Sequence, residues 1–208
     1  TVEPYEREDI MTKLKAIYEP KGRAREYAEL AVNLFRTCYH GCEYCYSPKV
    51  MHVKPEEFFK PPIPRAGIIT KIKSDARQLR AADESREILR CFTCDLYPPA
   101  PHYPDLVRYT TRSAIIALLE ANLNITILTK GGARSMVDMD IIEQYRDQVR
   151  YGATLVFNSD WDSGKFEPQA ALTSERIITL EAIHTTATTA DIKATGVNDT
   201  NHRELANT

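Results

Sequence analysis

Ala31-Val32-Asn33-Leu34-Phe35-Arg36-Thr37-Cys38-Tyr39-His40-Gly41-Cys42-Glu43-Tyr44-Cys45-Tyr46 is the stretch on which the reading of this 208-residue chain turns. Its first part, Ala31 to Phe35, is a short apolar run of the kind that forms a buried strand. Its second part carries three cysteines, Cys38, Cys42 and Cys45, on what must be one loop. Three thiolates on a short loop can hold three corners of an iron–sulfur cube and leave the fourth iron open. An open coordination position serves chemistry rather than structure. Gly41 tolerates positive φ and lets the loop turn tightly. The same residues admit a zinc reading. A Cys-x2-Cys pair is common in zinc sites, His40 could join it, and Cys91-Phe92-Thr93-Cys94 could supply the other half.

Outward from the cysteines, apolar runs alternate with amphipathic stretches. Residues 1–29 are polar and read as an extension with a short helix, Tyr5, Ile10, Leu14 and Ile17 being scattered apolar points. Residues 48–64 are a proline-rich connection, too broken for a long helix. Residues 67–80 read as a helix with Ile68, Ile69, Ile72 and Leu79 on one face, and 87–93 as the second strand. Residues 106–119 form the next helix, and the β-branched run 125–129 the third strand. A helix over 136–145, a strand over 153–157 and a helix over 175–184 with Ser174 as its cap follow. Residues 190–193 read as a weak fifth strand. Such alternation predicts a parallel sheet with helices outside. The cysteine loop would then lie at the C-terminal end of the first strand, where parallel α/β folds place their sites.

Composition agrees with one sizeable domain. The chain is 43% hydrophobic and 27% charged, enough for a real core. Its formal net charge of −2 argues against a generally basic nucleic-acid binder. Acidic residues interrupt Arg23, Arg25, Lys71, Lys73, Arg77 and Arg80, so these make no phosphate-binding stripe. Five cysteines, an odd number clustered in motifs, do not suit a secreted disulfide framework. A reducing cytoplasm is the expected compartment. No run is apolar enough to span a membrane, and no signal peptide is visible.

The spacing Cys-x3-Cys-x2-Cys, with Tyr44 before the last cysteine, resembles the signature of radical S-adenosylmethionine enzymes. Tyr18-Glu19-Pro20-Lys21-Gly22-Arg23, leading through Ala31 to Arg36 into the cysteines, is similar to the spore photoproduct lyase-like branch of that superfamily. Phe92-Thr93-Cys94-Asp95-Leu96-Tyr97-Pro98-Pro99, Leu128-Thr129-Lys130-Gly131-Gly132 and Phe157-Asn158-Ser159-Asp160 resemble the later blocks of the branch. The resemblance covers roughly residues 18–184. It implies a partial (β/α)6-type parallel barrel over residues 30–194, truncated or irregular in its last part, with a polar tail over 195–208. It implies a [4Fe-4S] cluster on Cys38, Cys42 and Cys45, with S-adenosylmethionine at the open iron. It also implies an external electron donor such as flavodoxin or ferredoxin. A nucleic-acid lesion is the substrate class it suggests.

The resemblance assigns further residues to the cofactor. Tyr44 would pack near the adenine, and Cys94 and Asp95 would follow the second strand. Lys130 would pair with the carboxylate, and Asn158 or Ser159 would bind the ribose or carboxylate. The lyase of this branch carries a hydrogen-donating cysteine three residues before the aspartate. Here that position is Phe92, which puts repair of a thymine dimer in doubt. Side chains alternate along a strand, so Phe92 and Cys94 share one face and Cys91 the other; if the Phe92 face is the cofactor face, Cys94 points inward and Cys91 out. Cys94 is then the candidate for a radical relay or substrate contact, and Tyr97 a rigid aromatic flank.

Overall fold

The computed structural model describes residues 11–101, 104–186 and 195–196. Its strands are β1 (Ile17–Tyr18), β2 (Leu30–Val32), β3 (Ile88–Arg90), β4 (Ile125–Thr129), β5 (Val149–Leu155) and β6 (Thr195–Gly196). They form one sheet in the order β1-β2-β3-β4-β5-β6. β1 is antiparallel to β2, and every later pairing is parallel. Parallel strands need crossovers, and here each crossover leads to the next strand in line. A doubly wound sheet would reverse direction at a switch point. Sequential order without reversal is the winding of a (β/α) barrel. The fold is therefore a partial parallel barrel, as the alternation and the resemblance implied.

The helices are α1 (Ser47–Val50), α2 (Pro55–Phe58), α3 (Ile68–Ala81), α4 (Asp105–Leu119), α5 (Met139–Gln144), α6 (Asp160–Phe166) and α7 (Thr173–Thr186). Register explains the core. Leu30, Ile88, Ile125 and Val149 lie side by side across β2 to β5, as do Val32, Arg90, Ile127 and Tyr151. These rows are buried because α3 and α4 cover that face. Ile72 and Leu79 of α3 and Ile115 and Leu118 of α4 are buried too. Each contributes roughly 1.5–3 kcal/mol through removal from water. The intervening row, Ala31, Leu89, Thr126 and Arg150, faces the concave side. There Thr126 donates to Glu87 at 2.7 Å and Arg150 pairs with Glu87 at 2.6 Å.

Two connections carry more structure than their composition suggests. Asp75, fully buried on α3, accepts hydrogen bonds from the backbone N–H groups of Lys15, Ala16 and Ile17 at 2.7–3.0 Å. It thereby ties the residues entering β1 to the helix layer. The proline-rich connection holds two single-turn helices, each with proline near its start, where a missing N–H does no harm. It then runs back along the first strand's exit. Arg36 N donates to Ile63 O, Arg65 N to Leu34 O and Cys38 N to Phe58 O at 2.9–3.1 Å.

Several expectations shift. The fourth parallel strand begins at Val149 rather than 153. Residues 136–145 are not one helix: a 3-10 turn over Gly132–Asp138 precedes α5. α6 was not anticipated. The weak strand at 190–193 lies outside the described residues, as do residues 1–10 and most of the tail. Within the stretch assigned to an N-terminal extension, Ile17–Tyr18 forms the edge strand. Among the described residues no helix is long and apolar enough to cross a membrane.

Candidate functional site

The loops after β2, β3, β4 and β5 meet at the C-terminal edge of the sheet. The cysteine loop is the centre of this meeting. Gly41 adopts φ +65°, as the tight turn requires. Cys45 N donates to Cys42 O at 3.1 Å and closes the turn between these two cysteines. Cys42 is buried, Cys38 and Cys45 are half-buried, and all three are free thiols. Burial, and after it the Asp95 charge, pushes Cys38 well above the ordinary thiol value. Burial also raises Cys42, while the Lys130 ammonium pulls it back. Thiols raised in this way lose their protons when metal binds.

Among the described residues, no three His, Cys, Asp or Glu side chains are gathered to hold a single metal ion. A cube of four irons spreads its ligand atoms around its corners, so three thiols on one loop suit it without converging on a point. The donor set, three free thiols beside a lysine ammonium, fits such a cluster. His40, on the same loop, is buried. Burial pushes it down to about 4, so it is neutral at pH 7. Its Nδ1 lies 3.6 Å from Asp95 Oδ2, too long for a hydrogen bond.

Asp95 knits the loops together. It accepts from Tyr97 N at 2.9 Å, Thr129 Oγ1 at 2.7 Å and Lys130 N at 2.8 Å. Burial works against its charge, but the hydrogen bonds from Lys130 N, Tyr97 N and Thr129 Oγ1 hold the carboxyl low. The loop after β4 is packed equally closely. A Cβ on Gly131 would stand 2.6 Å from Tyr97 Cβ and 3.1 Å from Tyr97 O. Gly131→Ala is therefore expected to destabilise the protein by about 1–3 kcal/mol. Urea denaturation checks this, and an unchanged midpoint would refute the close approach.

Lys130 reaches the cysteines. Its Nζ donates to Tyr44 Oη at 2.7 Å, lies 3.7 Å from Cys42 Sγ and 3.1 Å from Glu167 Oε1, and sits 4.8 Å from the Tyr44 ring centre. Burial opposes its charge, yet Cys42, Tyr44 and Glu167 together raise its pKa above the ordinary lysine value. Tyr44 also donates to Glu167. The other Glu167 oxygen pairs with Arg176, and both side chains are fully buried. Tyr44 packs edge-on against Phe157, which stacks on Phe166.

Glu167 belongs to a segment the sequence did not single out. Residues 166–171 strap the cysteine loop into place. Glu43 N donates to Phe166 O at 2.9 Å and Gln169 N to His40 O at 3.1 Å. Ala171 N donates to Lys130 O at 2.9 Å, joining the strap to the loop after β4. No motif marks a lone Glu between Phe166 and Pro168. Its role comes from tertiary contact with Arg176.

The remaining expected site residues divide. Ser159 caps α6: its Oγ accepts from Asp162 N at 3.1 Å and donates to Asp162 Oδ2 at 2.8 Å. Asn158 is exposed beside it. Tyr97 is fully buried and donates to Asp138 at 3.1 Å, so it does not flank an open site. Alternation does not extend through residues 91–94, because β3 ends at Arg90 and Cys91 takes φ +61°. Cys91 Sγ accepts from Leu34 N at 3.5 Å. Cys94 is half-buried. Burial, and after it the adjacent Cys91 thiol, pushes Cys94 up. The two thiols are neighbours rather than opposites.

No family model and no curated protein matches the chain. Solved structures do. Spore photoproduct lyase complexed with dinucleoside spore photoproduct superposes with a TM-score of 0.64 at 17% identity, covering 94% of this chain and 52% of that one. A tyrosine-to-phenylalanine mutant of spore photoproduct lyase gives 0.60 at 18% identity, and a cysteine-to-serine mutant 0.60 at 16%. Both cover 88% of this chain and 47% of theirs. The chain thus spans about half the length of the structures it matches. The resemblance read from the cysteine loop and the later blocks holds at the level of architecture: this chain has the fold of spore photoproduct lyase.

Proposed function

We propose that this chain is a radical S-adenosylmethionine enzyme. The observation that carries the proposal is the placement of Cys38, Cys42 and Cys45 on one loop after the first parallel strand of a sequentially wound sheet, with Lys130 beside Cys42. Cys38, Cys42 and Cys45 would hold a [4Fe-4S] cluster with one iron left for S-adenosylmethionine. Such a cluster, when reduced, would give one electron to the bound sulfonium, whose C–S bond would break to methionine and a 5′-deoxyadenosyl radical.

The chain's own residues bind and orient. Tyr44, Cys94, Asp95, Lys130, Asn158 and Ser159 are the proposed cofactor surroundings. Asp95 orients the loops after β3 and β4 through its three accepted hydrogen bonds. Tyr44 is the proposed neighbour of the adenine. Cys94 is the proposed contact to the substrate radical. A nucleic-acid lesion is the proposed substrate class, because the matched lyase holds a dinucleoside photoproduct. A reduced flavodoxin or ferredoxin in the cytoplasm is the proposed electron donor. Residues 30–194 are the proposed core, with 1–29 as extension and 195–208 as tail.

The test is anaerobic reconstitution, with iron and sulfide analysis and electron paramagnetic resonance of the reduced protein. About four irons per chain are expected, with a signal that shifts when S-adenosylmethionine is added. A colourless protein with about one zinc would overturn the proposal and make the cysteines structural.

A further inference from the structure

We propose that Lys130 acts through Cys42 to raise the reduction potential of the cluster, held in that task by Tyr44, Glu167 and Arg176. The proposal rests on the cluster reading above. An ammonium has three donors, and Lys130 meets three partners: Cys42 Sγ at 3.7 Å, Tyr44 Oη at 2.7 Å and Glu167 Oε1 at 3.1 Å. Its backbone is fixed on both sides, N–H on Asp95 and carbonyl on Ala171 N. Glu167 in turn is fixed by Arg176, whose other N–H groups donate to Ala171 O at 2.7 Å and Thr154 O at 2.8 Å. Lys130 is therefore not a mobile arm waiting for a ligand. To bind a carboxylate it would have to surrender one of these partners.

The charges are asymmetric. Two cations and one carboxylate leave a net positive charge on the Cys42 side. Asp95, negative, lies on the Cys38 side. In a buried site such charges are weakly screened. Reduction adds one electron to the cluster, so a positive charge and an N–H···S contact at one ligand favour the reduced form. Net charge and hydrogen bonds to sulfur are established levers on cluster potentials.

The experiment is a redox titration followed by electron paramagnetic resonance on the reconstituted full chain, without S-adenosylmethionine. At the potential where wild type is half reduced, Lys130→Met is expected to show a reduced-to-oxidised ratio about tenfold lower, about 59 mV for a one-electron couple. Lys130→Gln should shift in the same direction and carries the test if the methionine variant does not fold. Lys130→Arg, which keeps the charge, should stay near wild type. Equal ratios in wild type and both neutral variants, each with about four irons, would overturn the proposal and leave the cluster reading intact. Unchanged ratios with weaker S-adenosylmethionine binding would make Lys130 a carboxylate ligand, which also overturns it. A wild type that takes up no iron removes the cluster reading and this proposal together.

Discussion

Cys42→Ala is expected to leave fewer than about one iron per chain where the wild type takes up about four. Cys42 is the most enclosed of the three thiols, 6% exposed, and is the one that Lys130 approaches. Without it two thiols remain on the loop, and a cube held by two corners has no stable seat. The matched control is Cys91→Ala. Cys91 accepts a hydrogen bond from Leu34 N and lies on the loop after β3, so this variant should keep its iron. The pair also decides between metals. A zinc site shared by the two Cys-x2-Cys pairs would lose its ion in both variants. Unchanged iron in Cys42→Ala would defeat the three-cysteine reading whatever the control shows.

What the sequence made legible followed from strong local signals. The sequence predicts a strand over 125–129 and β4 occupies that range, because its β-branched run is flanked by a helix and a glycine pair. The helix expected over 106–119 is α4 with one residue more. The pattern predicts this strand only over 153–157, toward the apolar end of β5, because Arg150 and Gly152 look unlike a buried strand. Arg150 faces the concave side and pairs with Glu87, which a single strand's pattern does not show. α6 escaped because Asp160-Trp161-Asp162 has no buried stripe: Trp161 is 80% exposed. Its start is nevertheless written in Ser159, Asp160 and Asp162, a capping signal. At the site, the spacing of the cysteines singles them out, and resemblance to motifs at strand ends points to Asp95 and Lys130. Neither points to Glu167 or Arg176, since a carboxylate and a guanidinium nine residues apart look solvated until the fold buries both.

That buried pair carries a large expected stability effect. Glu167→Gln should lower the unfolding free energy by about 3–5 kcal/mol at pH 7, the usual result of removing one partner from a buried ion pair. Two cations, Arg176 and Lys130, would be left facing a neutral amide where both now meet a carboxylate. The sign of the pH dependence follows from Glu167 itself. Burial favours its neutral form, but Lys130 and Arg176 outweigh burial and lower its pKa in the folded protein. Its contribution is therefore fully present above the unfolded carboxyl value of about 4.3, and is lost as pH falls through the lower folded value. Urea unfolding at pH 7 should separate wild type from the variant clearly, and the gap should narrow below about pH 4. A gap that persists undiminished in acid would assign the loss to packing rather than charge. No gap at pH 7 would mean the strap does not depend on Glu167, and the fixed position of Lys130 beside Cys42 would lose its cause.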